Sequence, residues 1–298
     1  MAVAFRTKSS NEIEISAFTR REALAPRLGD VIEDIHVSDE TIVARLADGT
    51  AHCFDAQLWM QNSGVAELHK RVPNAAECLF WHAPTQSIAM SARANFVDFY
   101  HPPTRKTILS LEVNDSNIVR GDRDREQEPQ LARFAMSPSG QTLATLNDAS
   151  SVKLWRFAAA EDKFSLDSHI VEAHEEGGPV RQCEVPADEM VVTRGERSVR
   201  AWRRDGDGAW FLQSSVEYKS RVADAFAVSP DLSALAVAHG ALVALWNLED
   251  SSLRAVLSSK HSQDKVTSLA FGTPSCPLML FCASNSSVCS WNLQGSCS

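Results

Sequence analysis

Apolar and polar positions alternate with a period of two along most of this chain, in short runs punctuated by Gly, Pro, Asn, Asp and Ser. That pattern marks half-buried β-strands. Ile32–Val37, Thr41–Leu46 and Thr50–Phe54 read as successive strands, with Asp48-Gly49 as a tight hairpin between the last two. Residues 77–81, 87–92 and 96–100 form a second set. His101-Pro102-Pro103 must then leave the sheet, because proline cannot donate to a ladder. A third set is Leu131–Met136, Thr142–Leu146 and Val152–Trp155, turned by Ser137-Pro138-Ser139-Gly140, where proline presets φ. Ser229-Pro230-Asp231 repeats the device. Val180–Val185, Glu189–Thr193, Ser198–Trp202 and Trp210–Gln213 follow the same plan, with Asp205-Gly206-Asp207-Gly208 as a loop. The last set is Val266–Phe271, Leu278–Ala283 and Ser287–Trp291. Near the N-terminus, Glu12–Phe18 alternates on its own, whereas Ala56–Leu68 reads as a turn of helix.

The third strand of each set carries the same signature. Ser-Val-Lys-Leu-Trp155 returns as Ser-Val-Arg-Ala-Trp202, Leu-Val-Ala-Leu-Trp246 and Ser-Val-Cys-Ser-Trp291. Extended upstream, the ladder is Phe54, Phe99, Trp155, Trp202, Trp246 and Trp291, with gaps of 45, 56, 47, 44 and 45 residues. Self-similarity at about 40–45 residues is the signature of a WD-type β-propeller. The fold expected is therefore all-β, with about six four-stranded blades packed through those six aromatics. Only seven residues follow Trp291, which leaves no room for a fourth strand. Either Glu12–Phe18 closes the last blade or the chain is a piece of something longer, since a ring left open would expose unpaired strand edges. Residues 1–30 thus form an N-terminal segment with a candidate closing strand, and residues 31–298 form the propeller.

Composition narrows the function. With 29 basic and 38 acidic residues the net charge is −9 and the pI about 5.5, which argues against nucleic acid as the main ligand. The seven cysteines, Cys53, Cys78, Cys183, Cys276, Cys282, Cys289 and Cys297, contain no C-x-x-C pair and read as reduced thiols. No apolar run reaches membrane-spanning length, and Met1–Asn11 lacks a signal-peptide core.

Candidate chemistry is sparse. WD blades often join a loop His, a turn Asp and the strand Trp by hydrogen bonds. His69, His174 and His261 lie 30, 28 and 30 residues before Phe99, Trp202 and Trp291, but the turn Asp survives only as Asp48. No blade has the whole set, and these histidines read as structural. Asp122-Arg123-Asp124 lacks the ligand number of a cation site. Gly206-x-Gly208 is no dinucleotide loop, and neither a P-loop nor a nucleophile elbow occurs. No catalytic, cofactor-binding or metal-binding residue is assigned, and the expectation is a non-enzyme. The gap of 56 comes from a charged insertion, Asn114–Gln130, in which Arg120, Arg123 and Arg125 stand among five acidic residues. Those arginines are the candidate partner-contact loop. Arg200, Arg203 and Arg204 form a second basic cluster, read as solvated.

Several stretches together resemble the WD repeat-containing protein 75 family. They are Leu111-Glu112-Val113 with Asn117 and Arg120; Trp210 with Tyr218-Lys219, Phe226 and Ser233–Val237; and Ser268–Gly272 leading to Ser290-Trp291-Asn292-Leu293. Members are longer tandem propellers, so residues 31–68 would correspond to the end of an upstream propeller. The resemblance implies a scaffold of the small-subunit processome in the nucleolus, supporting ribosomal RNA transcription and pre-18S processing. Processome proteins would be its partners, with pre-ribosomal and small nucleolar RNA in the same particle. The alternative is a generic propeller adaptor, such as a ubiquitin-ligase substrate receptor.

Overall fold

A computed structural model of the chain describes residues 2–6, 13–17, 21–24, 31–37, 41–46, 50–55, 61–67, 79–91, 95–114, 131–147, 150–174, 178–258, 264–272 and 279–293. Among these the chain forms 26 β-strands and one 3-10 turn, arranged as seven sheets. The chain is all-β and each expected repeat forms its own sheet, the blade plan of a WD-type propeller. Two compact units are distinguished, residues 1–148 with 153–167, and residues 149–152 with 168–298.

The first unit begins with a three-stranded sheet of β1 (Ala2–Arg6), β2 (Ile13–Ala17) and β3 (Arg21–Leu24), in that order. The strand expected to close the last blade is thus placed differently. β2 has β1 on one edge and β3 on the other, so neither edge is open to a further strand. Short connections make such local pairings entropically cheaper than a long-range closure.

The next sheet is β4 (Ile32–Val37), β5 (Thr41–Leu46), β6 (Thr50–Asp55) and β7 (Gln61–Glu67). β7 corrects the expected helical turn. It pairs with β6 from Thr50↔Glu67 to Phe54↔Gln61 through two register shifts. Ser63 and Gly64 are weak helix formers, and the free edge of β6 offers them a ladder instead.

β8 (Leu79–His82), β9 (Ser87–Met90), β10 (Phe96–His101) and β11 (Lys106–Glu112) make the following sheet. It is succeeded by β12 (Leu131–Met136), β13 (Thr142–Asn147), β14 (Val152–Ala158) and β15 (Lys163–Ile170). One core cluster joins these two sheets through Phe99, Phe134, Trp155, Phe157 and Phe164, with Phe80 packed beside them. Full burial of each such ring contributes about 1.5–3 kcal/mol.

The second unit contains β16 (Gln182–Ala187), β17 (Met190–Arg194), β18 (Ser198–Arg204) and β19 (Trp210–Glu217) in one sheet. β20 (Ala225–Val228), β21 (Ala234–His239), β22 (Leu242–Asn247) and β23 (Leu253–Ser258) form the next. The last sheet has three strands, β24 (Val266–Phe271), β25 (Met279–Ser284) and β26 (Val288–Asn292). Trp246 belongs to a cluster that includes Val192, Val199 and Val216 of the preceding blade. Trp291 packs likewise on Ala225, Ala236 and Leu245.

Candidate functional site

All six ladder aromatics lie on the third strand of their blades, β6, β10, β14, β18, β22 and β26. Phe54 and Phe99 are fully buried, Trp155 and Trp246 nearly so, and Trp202 and Trp291 half-buried. What distinguishes the tryptophans is the indole N–H. Trp155 Nε1 donates to Thr145 Oγ1 at 2.9 Å, and Trp202 Nε1 donates to Thr193 Oγ1 at 3.1 Å. Thr193 stands two residues beyond Val191, the cross-strand partner of Trp202. The matching position for Trp246 is Val237, two beyond Leu235. Valine offers no acceptor, and Trp246 Nε1 is buried with no hydrogen-bond partner. For Trp291 the position is Cys282. These threonines escape a search for His, Asp and Trp alone; their signal is a Thr nine or ten residues before the aromatic.

His174 joins this set in the sheet β16–β19, blade four when blades are counted by their ladder aromatics from Phe54. Its Nε2 lies 3.1 Å from Thr193 Oγ1 and its Nδ1 lies 2.8 Å from Ser198 Oγ. The Ser198 hydroxyl thus meets the ring nitrogen for which the sequence offers no turn Asp. Burial, seconded by the charge of Arg200, lowers the His174 pKa to about 4, so the ring is neutral at pH 7. Arg200 corrects the solvated reading of its cluster: it is buried, and its Nη1 donates to the Ala173 carbonyl at 3.1 Å.

His82 is a second buried histidine. It is enclosed by the rings of Phe99, Phe157 and Phe164, with centroids 5.1, 4.7 and 5.6 Å away. Its Nε2 donates to the Gly140 carbonyl at 3.2 Å, which leaves Nδ1 to accept from the Thr85 hydroxyl at 2.5 Å. Burial lowers its pKa to about 4 against the opposing pull of the Gly140 carbonyl. Each ring leans on a glycine. A Cβ on Gly140 would come within 2.7 Å of His82, and one on Gly195 within 2.7 Å of His174. Gly140 also sits at φ +76° in the turn closed by its N–H on the Ser137 carbonyl at 2.9 Å. In β16, burial raises the Glu184 pKa to about 7, although Gln182 Nε2 donates to its Oε1 at 3.2 Å.

The expected partner-contact arginines, Arg120, Arg123 and Arg125, lie outside the described residues, as do Asp48, His69 and His261. The two ends of their insertion are described. Asn95, at φ +64°, accepts on its side-chain oxygen from Leu131 N at 3.1 Å and from Asn114 Nδ2 at 3.3 Å. Its backbone carbonyl accepts from Val113 N at 2.9 Å. Lys153 Nζ donates to the Val113 carbonyl at 2.6 Å and to Asn114 Oδ1 at 3.1 Å. Both stems are therefore pinned within one unit. Among the described residues no cluster of three His, Cys, Asp or Glu could hold a metal.

Comparison with known proteins places this architecture. The chain is similar to the Cps50 (Swd1) β-propeller domain of Myceliophteria thermophila, with a TM-score of 0.70 and 10% identity over 97% of this chain and 98% of that one. A chain of the mitotic checkpoint complex gives a TM-score of 0.71 at 14% identity, over 98% of this chain and 86% of that one. In sequence it is 21% identical over 291 residues to WD repeat-containing protein 75 of Danio rerio, covering 92% of this chain. The chain spans about a third of that relative's length, 34%. A family profile described as the second β-propeller of WD repeat-containing protein 75 matches residues 79–298. On that match, which takes in five of the six ladder aromatics, the chain belongs to the WD repeat-containing protein 75 family.

Proposed function

We propose that this protein is a non-catalytic scaffold of the nucleolar small-subunit processome, supporting ribosomal RNA transcription and pre-18S rRNA processing. The observation that carries this reading is the family match over residues 79–298. The fold agrees with it, since WD propellers are generally non-catalytic scaffolds whose rigid blades present loops to several partners. Its partners are other processome proteins, within a particle that also holds pre-ribosomal and small nucleolar RNA. The insertion bearing Arg120, Arg123 and Arg125 supplies one contact, between ends fixed by Asn95 and Lys153. Affinity purification of the tagged protein tests the proposal, with proteins identified by mass spectrometry and RNA by sequencing. Early processome subunits and pre-ribosomal RNA are expected, with loss of a subset of subunits when the three arginines become glutamates. Recovery of ubiquitin-ligase components without ribosomal RNA would favour the adaptor reading instead.

A further inference from the structure

Cys282 on β25 and Cys289 on β26 stand directly opposite each other in the antiparallel register, and both are free thiols. Opposed residues in such a pair have Cα atoms about 4.5–5.5 Å apart and side chains on one face. That spacing falls inside the roughly 4.4–6.8 Å span of protein disulfides. Cys183, in contrast, faces Thr193 across its strand pair and has no cysteine opposite. Access to the pair is one-sided. Cys282 is 5% exposed, in the position that Thr193 fills in blade four, whereas Cys289 is half-buried on the edge strand of its sheet.

We propose that Cys282 and Cys289 form a thiol-modification site that reacts with low-molecular-weight disulfides, such as glutathione disulfide, and ends as a cross-strand bond between β25 and β26. Cys289 loses its proton to solvent and attacks one sulfur of glutathione disulfide, expelling the first glutathione thiolate. Cys282 then loses its proton and attacks the Cys289 sulfur of the mixed disulfide, expelling the second. The protein dithiol is oxidised by two electrons, the glutathione disulfide is reduced to two glutathiones, and these take up the two protons released. The order of attack follows from the setting. Burial, with the adjacent Cys289 adding to it, pushes the Cys282 thiol up to about 12. With Cys289 held in the mixed disulfide, Cys282, directly opposite it across the strand pair, is the resolving thiol. The product staples the edge strand β26 to its neighbour.

The test treats the full chain with glutathione disulfide, alkylates free thiols under denaturing conditions and maps the digest by mass spectrometry. The expected result is a Cys282–Cys289 linkage roughly 2 Da below the dithiol peptide, two fewer alkylatable thiols, and reversal by dithiothreitol. Cys289→Ser should leave Cys282 alkylatable. A glutathione adduct persisting on Cys289, a bond from either residue to another cysteine, or two unreacted thiols would overturn the proposal. Mapping the unmutated chain decides this whether or not the variant folds.

Discussion

Blade four (β16–β19) and blade five (β20–β23) share one backbone plan and differ in how they treat a tryptophan. In blade four, Trp202 donates to Thr193, Thr193 meets His174, and His174 meets Ser198. Blade five keeps the alternation and the register and buries its indole more deeply, but Val237 replaces the threonine and Trp246 Nε1 goes unpaired. His239 is similarly half-satisfied, with Nδ1 3.0 Å from the Val222 carbonyl and Nε2 without a partner. An orphaned buried donor costs about 1–3 kcal/mol, yet β20–β23 still form a complete four-stranded sheet. Apolar alternation is therefore sufficient to build a blade, and the hydrogen-bonded set refines one already built.

The two blades should respond differently to four perturbations. The largest effect is expected from Trp246→Ala, which should cost about 3–5 kcal/mol by chemical denaturation, because the loss is of packing. An unchanged midpoint would remove the ladder from the account of stability. Next, Thr193→Val should cost about 1–3 kcal/mol, since it strips an acceptor from Trp202 and a partner from His174; equal stability of the two proteins would make that network ornamental. pH gives a smaller signal. A histidine whose folded pKa is about 4, against 6.5 unfolded, stays neutral in the fold while the unfolded chain takes up a proton. Stability from His174 is thus whole above pH 6.5 and declines as pH falls toward 4, by roughly 1–2 kcal/mol at pH 5. His82 adds the same trend, and Glu184, raised to about 7, opposes it by holding a proton in the folded state below that pH. The His174→Gln variant isolates one term, and the gap between it and the parent should narrow by that amount between pH 7.5 and 5. Finally, Val237→Thr should give Trp246 its missing acceptor and stabilise the chain by about 0.5–1 kcal/mol. A thermal midpoint that falls would mean that the hydroxyl does not reach the indole.

The strands were legible because their cause is local. Ile32–Val37, Thr41–Leu46, Leu131–Met136 and Val266–Phe271 have the bounds that alternation assigns, and the Asp205 loop closes as its composition implies, with Ala209 N on Asp205 Oδ1 at 2.8 Å. β7 was not legible, because Gln61–Glu67 carries little alternation and is a strand by virtue of the edge it pairs with. The placement of β2 depends on which neighbours compete for its edges, a question that a single strand cannot answer. Of the candidate site, His174 could be found by its spacing from Trp202. His82 could not, since its environment is assembled from Phe99, Gly140, Phe157 and Phe164, all brought to it by the fold.

Asn95 fixes where the chain leaves one blade and where it enters the next. Its side chain and carbonyl, with Lys153, secure Val113, Asn114 and Leu131, so β11 and β12 end in fixed places whatever is written between them. Doubling the length of a flexible connection between fixed ends adds only about 0.6 kcal/mol of closure entropy. The register of these two blades is thus set by residues outside 115–130, and a tag placed between the two anchored ends is expected to leave it unchanged.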